Sequence, residues 1–174
     1  MPGSNIPTSN LPDSDDNLSP SITVANQHSL HVDVSRLKQI AFEIFVDHAC
    51  FKTDISIAIV DDPTIHELNA RYLQHDYETD VLSFLFERDI DAGYVSGEVI
   101  ASADTASRLA RELGSSYEDE LLLYVIHGLL HLIGYDDKQE DDRQTMRLKE
   151  RHYMDLAGAT YQAPDDPDHP VGEA

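Results

Sequence analysis

The chain has 174 residues, 41% of them hydrophobic and 26% charged, with Cys50 as its single cysteine. That length suits one domain with or without tails, and a lone cysteine excludes an internal disulfide scaffold. Twelve basic residues against 33 acidic ones give a formal charge of −21, which argues against gripping duplex nucleic acid by phosphate neutralisation, but not against a nuclease whose metal supplies positive charge locally.

No apolar run reaches the roughly 18 residues that a membrane span needs. The first thirty residues hold no Lys or Arg and no apolar h-region, so no secretory signal is expected and the cytoplasm is the default location. Seven of the eight prolines fall in residues 2–20 and 164–170. These polar, Pro-rich ends bury too little apolar surface to offset ordering entropy, so residues 1–20 and 158–174 are expected to be disordered tails around a domain over 21–157. The acidity is not confined to the tails, because residues 29–157 alone hold 26 acids and 12 bases.

Along the body, Ile22–Ala25 forms a short strand candidate. Asp33 then caps a helix whose apolar face is Leu37, Ile40, Ala41, Ile44, Phe45 and His48, at helical spacing. Ile55–Val60 is a β-branched strand. Asp62 and Pro63 read as N-cap and first helical residue of a second helix running through Leu68 and Tyr72. Val81–Phe86 and Tyr94–Ala101 are strands three and four, the latter weakened by Gly97, and the short Asp/Gly loop between them predicts an antiparallel pair. Ser102 caps a third helix ending at Gly114. Ser115 with Glu118 reads as a capping box for a fourth. A last amphipathic helix is expected from about Lys138 to Ala157. The order predicts a single-domain α/β (α+β) fold with a mixed four-stranded sheet and about five helices.

The segment richest in chemistry is Leu121–Asp137, LLLYVIHGLLHLIGYDD. From Leu121 to Ile133 every residue is apolar except His127, Gly128 and His131, which predicts a helix buried all round. Two imidazoles inside it need partners. Four residues apart, they project from one face and both can reach one metal ion. Gly134 can break the helix and bring Tyr135, Asp136 and Asp137 back toward them. Core histidines bonded to backbone carbonyls would account for a bare H-x-x-x-H. The following glycine and acid favour a ligand set instead. The pattern H-x-x-x-H-x-x-G-x-x-D has the metzincin zinc spacing with Asp in place of the third His. Two His and one carboxylate leave a fourth zinc position for water. The general base of the protease motif, Glu after the first His, is replaced by Gly128, so hydrolysis of something other than a peptide is expected.

HGLLHLIGYDD resembles the signature HGxLHLxGYDH of the YbeY family of bacterial ribosomal-RNA maturation factors. Upstream, LNARYLQHDYETDVLSF is similar to that family's LNxxYRxxDxxTDVLSF. The resemblance covers roughly residues 22 to 157. It implies a single-domain fold with a zincin-like site and a metal-dependent, single-strand-specific endoribonuclease acting on small-subunit (16S) ribosomal RNA, notably its 3′ end, and in ribosome quality control. It implies single-stranded rRNA, the small subunit and ribosome assembly proteins as partners, with no membrane. Metal-binding and catalytic roles map onto His127, His131 and Asp137, with one Zn²⁺ per chain.

Two positions depart from the family pattern. Asp137 stands where the family has a third His, and a carboxylate there should hold a cation well while weakening its Lewis acidity. Leu73 stands where the family has a functional arginine. Arg71 points to another face of the helix, and His75 supplies a cation only at low pH.

Among the remaining residues, Asp136 reads first as a turn residue, ahead of a partner to the ligands or a general base. Thr79 and Asp80 either line the cleft or start strand three. Arg143, Arg147 and Arg151 read as a solvated face paired with Glu140 and Glu150, ahead of an RNA-tracking stripe. Met146 reads as core packing. Two rivals stand beside the nuclease. One is a non-catalytic, metal-stabilised ribosome assembly factor, favoured by Leu73 and the charge. The other is a hydrolase of another substrate class, such as a peptidase, disfavoured by Gly128.

Overall fold

The computed structural model describes residues 19–162. The ends expected as tails lie mainly outside the described residues. The elements in chain order are β1 (Ser21–Asn26), α1 (Val34–Asp47), β2 (Lys52–Val60), α2 (Asp62–Leu73), β3 (Val81–Asp89), β4 (Tyr94–Ser102), α3 (Ala103–Leu113), α4 (Tyr117–Ile133) and α5 (Glu140–Leu156). The four strands form one mixed sheet in the order β1-β2-β4-β3. β1, β2 and β4 are parallel, and β3 pairs antiparallel with β4. The expected fold class is the one observed.

β2 is flanked by strands on both sides and covered on both faces. Its second half, Ile57–Val60, is therefore buried throughout, as central parallel strands require. Ile55, Ile57 and Ile59 join Val95, Val99 and Ala101 in the main core, against α1 and α4. The opposite face carries a smaller cluster of Ala58, Val60, Leu82 and Ile100 under Ile65 of α2. β3 forms an edge and runs three residues beyond the expected Phe86, because a bulge between Leu85 and Glu87 lets its pairing with β4 continue to Asp89.

Three helix starts differ from expectation. The cap of α2 is Asp61, whose extended backbone lets its carboxylate accept from Thr64 N. Asp62 is already helical, and its carboxylate turns to α3 instead. Ser116, not Ser115, caps α4, accepting from Asp119 N, while Ser115 donates to the buried Glu120 at 2.9 Å. α5 begins at Glu140, two residues later than expected, because Asp137 and Lys138 still belong to the loop that follows α4. At the other end, packing continues past residue 157. Ala159 and Tyr161 lie against the core, and Thr160 N donates to Asp119.

Candidate metal centre

α4 is positioned by its own burial. Twelve of its seventeen residues are buried, so it can sit only between sheet and helices. Gly128 sets the closest approach to the sheet. A Cβ there would stand 2.6 Å from Val99 Cγ1, 3.0 Å from Ser83 Oγ and 3.1 Å from Val81 Cγ2. Ser83 Oγ also donates to the Gly128 carbonyl at 3.0 Å. The position after the first histidine therefore faces β3 and β4, and its glycine is a packing requirement. At the helix end, Gly134 adopts φ 121°, and its N–H reaches the carbonyls of Leu130 and His131. This turn is open to glycine and closed to most side chains. It returns the chain so that Asp137 faces the two histidines.

His127 Nδ1 lies 2.7 Å from Glu150 Oε1, and His131 Nδ1 lies 3.0 Å from the Tyr135 carbonyl. Both partners accept, so both Nδ1 atoms donate. Each ring is left with a lone pair on Nε2, and the two Nε2 atoms face each other at 2.9 Å. Two lone pairs at that distance need a proton or a cation between them. Asp137 completes the convergence, with Oδ2 3.5 Å from His127 Nε2 and Oδ1 3.9 Å from His131 Nε2. One ligand atom from each residue lies within 4.8 Å of the others. Atoms bound to one tetrahedral zinc at about 2.0–2.1 Å stand about 3.3 Å apart. The donor set and its spacing therefore fit a single cation with small adjustments.

Without a cation the rings divide the proton unequally. Burial opposes charge on His127, but the hydrogen bond and charge of Glu150, with Asp80 and Asp137, hold its pKa above the ordinary imidazole value. Burial and then the charge of His127 hold His131 below it. The two rings are thus biased in opposite directions, His127 toward the charged form and His131 toward the neutral one.

The other expected residues divide. Asp80 shares the electrostatics of His127, and burial pushes its carboxyl up despite that neighbour. Its backbone carbonyl also accepts from Ser102 N at 2.8 Å, so Asp80 both abuts the site and starts the strand. Thr79 is buried and donates to the Val81 carbonyl. Asp136 is a turn residue, its carboxylate accepting from Asp137 N at 2.8 Å. Leu73 is exposed at the end of α2. Arg71 pairs with Glu67 at 3.6 Å, and His75 stacks on Tyr77. Met146 is core, as expected.

The α5 stripe is only partly the solvated face expected. Arg143 does pair with Glu140, at 3.3 Å, but its Nε also donates to the Asp137 carbonyl, at 3.2 Å. Arg151 lies over the Tyr161 ring. Glu150 is buried against His127 instead of lying on that face. The sequence carried a signal for this. Met146, Glu150, Tyr153 and Met154 fall at i, i+4, i+7 and i+8, the inward stripe of α5. His48, expected on the apolar face of α1, ends that helix and meets the site loop. Its Nδ1 donates to the Ile44 carbonyl, and its Nε2 accepts from Tyr135 Oη at 2.9 Å.

These features define a class, an α+β domain whose buried helix presents two histidines and a following carboxylate as a candidate mononuclear metal site. A model of the family described as endoribonuclease YbeY matches residues 22–158, and the chain belongs to that family. It is 40% identical over 136 residues to an endoribonuclease YbeY of Rhodopirellula baltica, covering 77% of this chain and 69% of that protein. It is 38% identical over 128 residues to one from Syntrophotalea carbinolica, covering 72% and 85%. The fold also matches the solution structure of a Thermotoga maritima protein, with a TM-score of 0.57 at 26% identity over 79% of this chain and 89% of that one. No helix among the described residues is long and apolar enough to cross a membrane.

Proposed function

We propose that this chain is a zinc-dependent, single-strand-specific endoribonuclease of the cytoplasm. Its substrate would be the 3′ region of 16S rRNA on the small ribosomal subunit, with a further part in ribosome quality control. The observation that carries the reading is the meeting of two Nε2 lone pairs and one carboxylate at a half-buried point. It accords with the family to which the chain belongs.

His127, His131 and Asp137 would hold the zinc in a zincin-like site. When bound, the ion supplies Lewis-acid stabilisation of charge developing on a scissile phosphate. The chain's own residues do the rest. Glu150 and the Tyr135 carbonyl keep both Nδ1 atoms donating, so both Nε2 atoms stay available. His127 would have to be neutral at Nε2 to hold the cation, so binding would compete with its protonation. Asp137 brings a full negative charge, which strengthens cation binding and reduces the charge left for the phosphate. The test is cleavage of a single-stranded RNA and of its duplex by wild type and His127→Ala. We expect cleavage of the single strand only, abolished by the substitution and by a chelator. Equal cleavage by the variant would overturn the reading.

Leu73 at the family's arginine position and the charge of −21 favour a second reading, a non-catalytic, metal-stabilised ribosome assembly factor. Zinc-loaded wild type that binds small subunits yet cleaves no RNA would select it.

A further inference from the structure

Glu150 is 1% exposed, on a helix whose other acids lie toward water. It sits between Met146 and Met154 on the inward stripe of α5, where an apolar side chain would pack at lower cost. Both of its oxygens are engaged. Oε1 takes the hydrogen bond from His127 Nδ1 at 2.7 Å, and Oε2 takes one from Tyr161 Oη at 3.0 Å. Tyr161 belongs to the segment after α5, which Thr160 N anchors to Asp119 and Arg151 covers from above. The second histidine is treated differently, because His131 Nδ1 has only a backbone carbonyl. The two rings therefore differ in what stands behind them, a buried carboxyl side chain behind one and a backbone carbonyl behind the other.

We propose that Glu150 is a positioning residue for His127 and that Tyr161 holds Glu150 in place. The carboxylate fixes the ring as the Nδ1–H tautomer, aims Nε2 at Asp137 and His131, and makes that nitrogen the stronger donor of the pair. Tyr161 occupies the second oxygen, so the carboxylate keeps its orientation toward the ring. Support for a metal ligand is thus drawn from α5 and from the segment beyond it. The purpose of this arrangement rests on the metal-site reading above, but the tautomer itself does not.

The test compares wild type with Glu150→Ala, Glu150→Gln and Tyr161→Phe. Ring ¹⁵N spectra of histidine-labelled, metal-free protein, taken at alkaline pH where the rings are neutral, read the tautomer. Competition with a chromophoric chelator reads zinc affinity, and circular dichroism reads folding. Wild-type His127 should be Nδ1-protonated. Glu150→Ala should shift it toward the Nε2–H form that free imidazole prefers and weaken zinc binding about 10–100-fold. Glu150→Gln keeps an accepting oxygen, so it should retain the tautomer and recover part of the affinity. Tyr161→Phe should lose less, in the same direction. A folded Glu150→Ala with unchanged tautomer and zinc affinity within about two-fold of wild type would overturn the proposal. Should that variant fail to fold, wild-type affinity in both Glu150→Gln and Tyr161→Phe would overturn it. Wild type that takes up no zinc would sink the metal-site reading, and the tautomer comparison would still decide the role of Glu150.

Discussion

Two polar clusters in this protein are built around a carboxylate, and they end in opposite states. At the start of α2, the Asp62 Oδ1 atom accepts from the hydroxyls of Ser102 and Thr105, and Oδ2 accepts from Arg108 at 3.0 Å. Donors and acceptors match, and the cluster closes on itself. At the end of α4, the groups that converge are His127 Nε2, His131 Nε2 and the Asp137 carboxylate. All are acceptors once the rings are neutral, because both Nδ1 atoms are already donating elsewhere. Both clusters are partly buried and both sit at helix ends. What separates a structural network from a ligand site is whether the donors run out.

The sharpest way to break that comparison is a double dissociation. His131→Ala should abolish zinc binding, measured by elemental analysis, and RNA cleavage with it. In the presence of a chelator its stability should stay within about 1 kcal/mol of wild type, since the ring's partners are one backbone carbonyl and the neighbouring His127 ring, which can turn to solvent. Asp62→Ala should do the reverse, keeping zinc and losing about 2 kcal/mol in urea unfolding, because three donors lose a charged acceptor. A stable Asp62→Ala, or a zinc-loaded His131→Ala, would erase the distinction.

Gly128 refines it from inside the metal region. It adjoins His127, one of the proposed ligands, yet its surroundings are all packing. Gly128→Ala should cost about 1–3 kcal/mol through overpacking against Val99 and Val81. Any fraction that remains folded should bind zinc normally. Loss of zinc without loss of stability would mean the glycine serves the site directly.

The closed cluster should also respond to acid in a defined direction. Burial opposes ionisation of Asp62, but its bonds from Ser102, Thr105 and Arg108 win and hold the pKa below the ordinary carboxyl value of 3.8. The folded state therefore favours the ionised form. The stabilisation is complete well above that ordinary value, declines as pH falls below it, and vanishes below the lowered value in the fold. The stability difference between wild type and Asp62→Asn should be constant near neutrality and shrink as pH falls through about 4 toward 2. A difference that grew in acid would contradict the assignment.

How far the sequence could be read follows from the same physics. The sheet, the helices and the H-x-x-x-H face were legible, because hydrophobic period and glycine placement act locally. The triad was legible because Gly134 dictates the return of the chain to Asp137. Glu150 was misassigned because charge type was weighed above position. An acid beside arginines looks solvated, although its spacing with Met146 and Tyr153 turns it inward. The link from His48 to Tyr135 joins α1 to the site loop across 87 residues, and no local pattern encodes such a contact. The strain-free role of Gly128 was hidden for a related reason. The sequence shows that a protease base is missing, whereas only the approach of β3 and β4 shows that no side chain would fit.

The smallest expected effect separates two adjacent aspartates that the sequence does not distinguish. Read locally, Asp62 before Pro63 is the better cap, since proline favours the first helical position. In the fold Asp61 takes the extended cap conformation and accepts from Thr64 N at 2.9 Å, one conventional bond at an exposed site. Asp62 is pulled inward because Ser102, the cap of α3, and Thr105 in its first turn both need an acceptor there. Asp61→Ala should therefore lower the unfolding midpoint clearly less than Asp62→Ala, and a serine at 61 should restore most of the loss, since any short side-chain oxygen can cap. Serine at 62 should not restore Asp62→Ala, because Arg108 would still face no charge. The reverse order, with residue 61 the costlier, would mean that Asp62 acts as a local cap and that the link between α2 and α3 contributes little.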